Sequence, residues 1–284
     1  MNKSFSELGL EEEYLQAVEK LDFTQPTPIQ VETLPLRLSG RDVLAQSQTG
    51  TGKTAAFMLP ILQRLGQGNG TPRALVLAPT RELAKQVADA TAGFARVSGS
   101  KVLAVYGGQS YEIQTRGLSR GVDILVGTPG RLLDFIRQGK LDLSQVEVLV
   151  LDEADEMLEM GFIDDVETIL DELPEHRQMS LFSATLPAQI QKLAAKYLND
   201  PVKVSINPKQ VTVAETEQKF YRVREETKLP ALCCLLETDE VSSALIFVRT
   251  KAKAQDLADE LMRRGFSADS LHGELNQSRR EMVL

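Results

Sequence analysis

A lysine and a threonine directly after a run of small residues, Ser47-Gln48-Thr49-Gly50-Thr51-Gly52-Lys53-Thr54, form a pattern that can hold a polyphosphate. The run follows a short apolar stretch, 43–45, and opens a helical pattern over 53–65. In that setting successive backbone N–H groups and the helix N-terminus surround phosphate oxygens with positive partial charge, Lys53 reaches the outer phosphates, and the Thr54 hydroxyl ligates Mg²⁺. Ser47 stands where such loops usually begin with glycine. A Gly/Thr-rich turn that only caps a helix is the plainer alternative.

A second chemical group is Asp152-Glu153-Ala154-Asp155, which follows the apolar run 146–151. A strand there puts Asp152 at the carboxyl end of a sheet, where open α/β folds bind ligands. Asp152 can then enter the shell of a magnesium ion while Glu153 orients or deprotonates an attacking water. An isolated acidic tetrapeptide also suits a solvated turn; beside a phosphate loop it has a metal to meet.

These groups need strands and helices in alternation to bring them together, and the hydrophobic pattern supplies them. Short runs apolar at consecutive positions recur at 43–45, 74–78, 102–106, 124–127, 146–151, 180–184 and 202–206. Strands covered on both faces read this way. Helical patterns lie between them at 53–65, 80–95, 131–137, 162–173 and 187–198. The alternation predicts right-handed crossovers and a parallel α/β sheet flanked by helices.

The pattern breaks at Asn207-Pro208-Lys209-Gln210, and 207–216 reads as a linker between a domain over 1–206 and a second α/β pattern over 217–284. In that second part, strands are expected at 218–223, 244–248 and 268–271, with helices near 229–236, 251–264 and from 276. Three strands fall short of an ordinary sheet, so the expectation is a domain cut short.

The composition, 42% hydrophobic and 25% charged without tryptophan, is that of a globular protein. No 18-residue apolar stretch exists, and Glu11-Glu12-Glu13 follows too soon after the start for a secretory leader, so a cytoplasmic protein without membrane contact is expected. The two cysteines, Cys233 and Cys234, are adjacent, which suits neither an ordinary disulfide nor a zinc site, and helix packing in a reducing compartment is their expected role. His176 and His272 have no second ligand nearby in sequence, and neither is assigned chemistry. A net charge of −8, most of it before residue 207, excludes bulk electrostatic coating of nucleic acid. Any such contact must be local.

The acidic tetrapeptide spells the name of the DEAD-box RNA helicases, and five further segments resemble that family, most closely its bacterial members. They are Phe23-Thr24-Gln25-Pro26-Thr27-Pro28-Ile29-Gln30, Pro79-Thr80-Arg81-Glu82-Leu83, Thr128-Pro129-Gly130-Arg131, Ser183-Ala184-Thr185 and Leu245-Ile246-Phe247-Val248-Arg249-Thr250. The resemblance implies a RecA-like P-loop domain, a partial second RecA-like domain, and ATP hydrolysis with Mg²⁺ coupled to local unwinding of RNA. It implies that Gln30 reads the adenine edge with Thr24 and Gln25 nearby while Phe23 stacks on the base. A primary amide offers the donor and acceptor, and an aromatic face the stacking surface, for such a task. A core aromatic at Phe23 and a solvated helix residue at Gln30 are the alternatives. The resemblance also implies that Ser183 and Thr185 couple nucleotide state to RNA through Asp155.

Three segments suit contact with a sugar-phosphate backbone. Thr128 fits an N-cap and Pro129 the first helical turn, leaving free N–H groups beyond Gly130 aimed at a phosphate beside Arg131. Gly107-Gly108 allows close approach of a chain, and Pro79-Thr80-Arg81 offers a hydroxyl and a guanidinium. Contacts of this kind carry no sequence information, so tolerant binding is expected; that the strand is RNA comes from the resemblance, as do Arg249 and Thr250 as further contacts. Arg81 and Arg131 taken singly also suit surface ion pairs. Family members take an arginine finger, worth roughly 10³ to 10⁵ in turnover, from a late segment of the second domain that this sequence does not reach. The expectation is a chain that binds nucleotide with little turnover; a binding module without catalysis and a P-loop metabolite kinase are the rival readings.

Overall fold

The computed structural model describes residues 3–206, 219–238 and 241–283. The chain divides into two compact units, Met1–Glu215 and Thr216–Leu284.

The first unit alternates as the hydrophobic pattern predicts. Its strands are β1 (Val43–Gln46), β2 (Ala74–Leu77), β3 (Val102–Val105), β4 (Ile124–Gly127), β5 (Val148–Leu151), β6 (Gln178–Ser183) and β7 (Val202–Ser205). They form one parallel sheet in the order β3-β4-β2-β5-β6-β1-β7. The inner strands β2, β4, β5 and β6 are buried throughout, while the edges β3 and β7 are partly open. This explains the unbroken apolar runs, because both faces of an inner strand are covered.

Alternation along each strand still sorts the side chains. Val43, Ala45, Ala74, Val76, Ile124, Val126, Val148 and Val150 face one core, built with α1 (Glu12–Lys20), α2 (Pro28–Leu38), α3 (Lys53–Leu65) and α4 (Arg81–Ala95). Leu44, Leu75, Leu77, Leu125, Leu149 and Leu151 face the other. That second core is closed by α6 (Pro129–Arg137), α7 (Ala154–Glu159), α8 (Ile163–Asp171) and α9 (Ala188–Tyr197), with Tyr111 and Leu118 of α5 (Tyr111–Ser119) at its margin. A one-residue register slip would exchange the two sets, so the small and β-branched residues against α3 and the leucines against α6 to α9 fix the register. Helix α3 is apolar on nearly every side, as a helix packed between α2 and α4 over the sheet must be.

Four helices, α1, α2, α5 and α7, lie outside the segments that periodicity singled out. Helix α5 shows why: its Ile113 is exposed, and the residue it buries is a glutamine, Gln114.

The second unit corrects the sequence reading. Its helices α10 (Lys228–Thr238), α11 (Lys251–Arg263) and α12 (Gln277–Val283) fall where expected. The three expected strands do not form: the described residues 219–223, 244–248 and 268–271 make no ladder. An alternating apolar sequence favours extended backbone, but a strand also requires a hydrogen-bonded neighbour. Without one, Phe220, Leu245 and Phe247 are 87%, 81% and 91% exposed. Cys233 is buried in α10 and Cys234 exposed, so only the first takes part in packing. The linker expected at 207–216 lies outside the described residues. Among the described residues no helix is long and apolar enough to cross a membrane.

Candidate functional site

Every strand of the sheet runs the same way, so the segments that follow them share one edge. In spatial order the edge carries Gly107-Gly108 after β3, Thr128 to Arg131 after β4, Pro79 to Arg81 after β2, Asp152 to Asp155 after β5, Ser183 to Thr185 after β6 and Ser47 to Thr54 after β1. The candidate RNA segments of this unit thus lie on one half of the edge, the phosphate loop on the other, and the acidic and Ser-Ala-Thr segments between them.

The phosphate loop is shaped by two glycines and one buried threonine. Gly50 and Gly52 have φ of +75° and +87°, which residues with a Cβ rarely adopt. A Cβ at Gly52 would also stand 2.5 Å from Gln30 Nε2. Thr51 donates its hydroxyl to the Gln48 carbonyl, and the Ser47 N–H donates to the Ser183 carbonyl of neighbouring β6, fixing the loop's first residue. Gly52 then caps α3, whose first residue is Lys53.

Lys53 is buried with its Nζ 3.7 Å from Asp152 Oδ1 and 3.6 Å from Glu153 Oε1. Neither Nζ nor Asp152 Oδ1 makes a hydrogen bond with the described residues. A buried ammonium and carboxylate oxygen left without one each are costly, and both face the same space. Burial pushes the Asp152 carboxyl up to about 6; the opposing pull of Lys53 does not cancel it, and Glu153 adds to it. Glu153 itself sits at φ 54°, ψ 54° at the start of α7, a left-handed conformation uncommon for a residue with a side chain. Strain of this kind concentrates where a side chain must be aimed. This donor set suits a magnesium triphosphate: an orphaned ammonium for phosphate oxygens, an orphaned carboxylate oxygen for a hard cation, and half-buried Thr54 beside Lys53.

Between the two halves, Asp155 and the Ser-Ala-Thr segment are tied together. The Asp155 N–H donates to Ser183 Oγ at 3.2 Å, and the Ser183 hydroxyl donates to the Thr185 carbonyl at 2.6 Å. The Asp155 carboxylate accepts from Thr185 N–H at 2.8 Å, Thr185 hydroxyl at 2.9 Å and, more loosely, Ala184 N–H at 3.4 Å. Burial raises the Asp155 carboxyl, yet its interactions with Ser183, Thr185 and Ala184 outweigh it and hold the group below its ordinary value.

Gln30 is fully buried, not solvated. Its Oε1 accepts from Thr27 N–H, closing a capping box at the start of α2, and its Nε2 donates to the Gly52 carbonyl at 3.0 Å. The amide therefore links α2 to the phosphate loop. Phe23 is half-buried with its ring 5.6 Å from that of Phe94, while Thr24 and Gln25 are exposed.

On the other half, Thr80 caps α4 by accepting from Leu83 N–H, and Arg81 lies along the Gly107-Gly108 turn, where a Cβ at Gly108 would fall 2.2 Å from Arg81 Nη1. Thr128 is the N-cap of α6 and Pro129 its first residue, and a Cβ at Gly130 would meet nothing within 4 Å. The space at Gly130 is thus open, while Thr128 and Pro129 before it are buried. Arg131 donates to the Gln109 carbonyl at 3.2 Å and lies over the ring of Tyr111, a residue that sequence reasoning passed over. Arg249 and Thr250 belong to the second unit, where Thr250 caps α11 by accepting from Lys253 N–H.

A seven-stranded parallel sheet with helices on both faces, a glycine-bent phosphate loop after β1 and an acidic pair after buried β5, one strand removed, define a RecA-like α/β protein. Residues 27–193 match the DEAD/DEAH box helicase family and 227–284 the helicase conserved C-terminal domain. The chain belongs to the DEAD/DEAH box helicase family. It is 51% identical over its whole length to the RNA helicase CrhR of Synechocystis, covering 58% of that protein. Over 99% of its length it is 48% identical to the ATP-dependent RNA helicase DeaD of Escherichia coli, of which it covers 45%, and 45% identical to the DEAD-box ATP-dependent RNA helicase CshA of Geobacillus kaustophilus, of which it covers 60%. The crystal structure of a DEAD box protein from the hyperthermophile Methanococcus jannaschii superimposes with a TM-score of 0.69 at 41% identity, over the whole chain and 77% of that protein. The chain spans about half the length of the curated relatives it matches.

Proposed function

We propose that the whole protein is a cytoplasmic ATP-dependent RNA helicase, and that the 284 residues hold its nucleotide site and part of its RNA surface. The observation that carries the nucleotide site is the buried, unbonded Lys53 Nζ facing Asp152 and Glu153 across the loop edge of the sheet. ATP bound with Mg²⁺ would supply the γ-phosphoryl group and the cation that neutralises its charge. Ser47 to Gly52 present backbone N–H groups to the phosphates, Lys53 donates to the outer ones, and Thr54 with Asp152 supplies oxygen ligands. Glu153 orients the attacking water and accepts its proton at the carboxylate. Phe23, Gln25 and Gln30 hold the adenine, Gln30 giving up its bond to Gly52 to do so.

Contact with RNA is assigned to Pro79, Thr80 and Arg81, to Gly107 and Gly108, to Thr128, Pro129, Gly130 and Arg131, and in the second unit to Arg249 and Thr250. Donors of these types grip the sugar-phosphate chain and leave the bases unread, so binding tolerates sequence. Asp155, Ser183 and Thr185 stand between the two ligands and are assigned the coupling between them. Steady-state phosphate release by the whole protein, with and without single-stranded RNA, tests the reading: stimulation by RNA is expected, and its absence refutes the coupled activity. For the 284-residue chain, binding of a fluorescent ADP that persists with negligible phosphate release is expected.

A further inference from the structure

Resting on that reading of the RNA surface, we infer that Gln114 and Tyr111, neither assigned a role above, are positioning residues that hold Arg81 and Arg131 in register for a phosphate backbone. The chain of contacts starts at the sheet's edge. Val105, the last residue of β3, turns its carbonyl to Thr128 N–H beside β4. The backbone N–H and C=O of successive residues in a strand point to opposite neighbours, so those of Tyr106 turn away from β4 toward the open edge. There the Gln114 amide takes both groups: Oε1 accepts from Tyr106 N–H at 3.2 Å, and Nε2 donates to the Tyr106 carbonyl at 2.9 Å. One buried side chain thus replaces a missing neighbouring strand at the residue before the Gly107-Gly108 turn.

The far end of that turn is fixed by an aromatic ring. Tyr111 stacks on Phe135 of α6, ring centroids 4.4 Å apart, while the Arg131 guanidinium lies 5.4 Å over the same ring and Lys140 Nζ 4.7 Å over it. Arg131 also donates to the carbonyl of Gln109, inside the loop that Gln114 and Tyr111 pin at its two ends. Arg81 lies against Gly108 of the same loop so closely that no Cβ fits. A single six-residue segment therefore sets both guanidinium groups, and its shape depends on one amide and one ring. The Tyr111 hydroxyl has no hydrogen-bond partner among the described residues, so the ring alone carries its part.

The test is a titration of the 284-residue chain with fluorescein-labelled single-stranded oligouridylate in the presence of a non-hydrolysable ATP analogue, alongside binding of a fluorescent ADP. Gln114→Leu and Tyr111→Leu should each weaken RNA binding about tenfold, the scale of one or two lost polar contacts, with ADP affinity unchanged. Gln114→Glu, which keeps the acceptor for Tyr106 N–H but loses the donor to its carbonyl, should fall between Leu and wild type. Tyr111→Phe should bind within about twofold of wild type, since the ring persists. Tyr111→Leu placed on Arg131→Ala should add less than its full effect in the wild-type background, because part of the ring's action runs through that guanidinium. Losses that add in full, or that extend to ADP affinity, overturn the inference in favour of general destabilisation. Unchanged RNA affinity in Gln114→Leu and Tyr111→Leu, while Arg81→Ala and Arg131→Ala bind weakly, overturns it and leaves the RNA surface standing. If Arg81→Ala and Arg131→Ala themselves bind as wild type, the RNA surface is misplaced and the positioning roles fall with it.

Discussion

Lys53 and Asp152 face each other 3.7 Å apart in the interior, and neither the ammonium nor the facing carboxylate oxygen makes a hydrogen bond with the described residues. At that distance the pair attract without the directed contact that would compensate for burial. The pair is therefore better suited to partners that come between them than to each other. Replacing Lys53 by Ala should weaken binding of a fluorescent ATP analogue by roughly ten- to a hundred-fold, the scale of a hydrogen bond to a charged group. Undiminished affinity in Lys53→Ala would remove the phosphate site from this loop.

The same pair sets a pH dependence. Asp152 is held at about 6 against an ordinary 3.8, chiefly by burial. Between those values the folded chain retains a proton that the unfolded chain has lost. Stability without ligand is accordingly greatest, as far as this group is concerned, below 3.8 and is lost as pH rises through 6. Magnesium needs the carboxylate, so its nucleotide complex should bind more tightly as pH rises across 6, with a proton released on binding at pH 5.5. Calorimetry at pH 5.5 in buffers of different ionisation enthalpy reads that proton directly. Asp152→Asn should bind with no release from this site, and an unchanged proton count in the variant would assign the titration elsewhere.

Ser183 holds the middle of the edge together through one oxygen. It accepts from Asp155 N–H and donates to the Thr185 carbonyl, with the side chain fully buried. Ser183→Ala leaves that donor and that acceptor unmatched, at a cost of about 1 to 3 kcal/mol, seen as a lower urea midpoint at unchanged slope. Asp155 adds an acid-side effect, since its carboxyl is held below 3.8 despite burial. Its contribution is present above 3.8 and is lost as pH falls through the folded value. Asp155→Asn should flatten this acid limb, and a limb that persists unchanged would exclude Asp155 as its source.

How much of this was legible beforehand depends on whether the signal is local. The phosphate loop, the acidic tetrapeptide and the buried strands are each encoded within a few residues, and strand order then carries their neighbours to the same edge. Thr128 and Pro129 announce the start of α6 because capping chemistry is local too. Gln114 gave no such sign: a glutamine on a helix reads as solvated, and only the fold shows that its partner is the main chain of Tyr106. Gln30 is the same case, solvated by its pattern and adenine-facing by the family resemblance, and found bonded to Gly52. The strands expected around Phe220 and Phe247 failed for the complementary reason, because an extended pattern does not contain its own neighbour.

Arg37 is a residue whose chemistry serves none of this. It lies on α2, 1% exposed, and its Nε, Nη1 and Nη2 find no acceptor among the described residues. Asp42 is the opposing charge, but its two carboxylate oxygens already accept from Met179 N–H and Asn199 N–H. Burial pulls the guanidinium down to about 9, with Asp42 resisting and Arg64 adding like-charge repulsion. Since 9 lies above neutrality, the group is charged at pH 7 and the cost of burying it is present in full. Replacing a buried ion by an apolar side chain of similar reach is often stabilising by about 1 to 4 kcal/mol. Arg37→Met should therefore raise the melting temperature, by roughly 2 to 4 °C for each kcal/mol in a domain of this size, with ADP affinity unchanged. A melting temperature lowered by several degrees would mean that the guanidinium is solvated by partners outside the chain, and that its charge stabilises the fold.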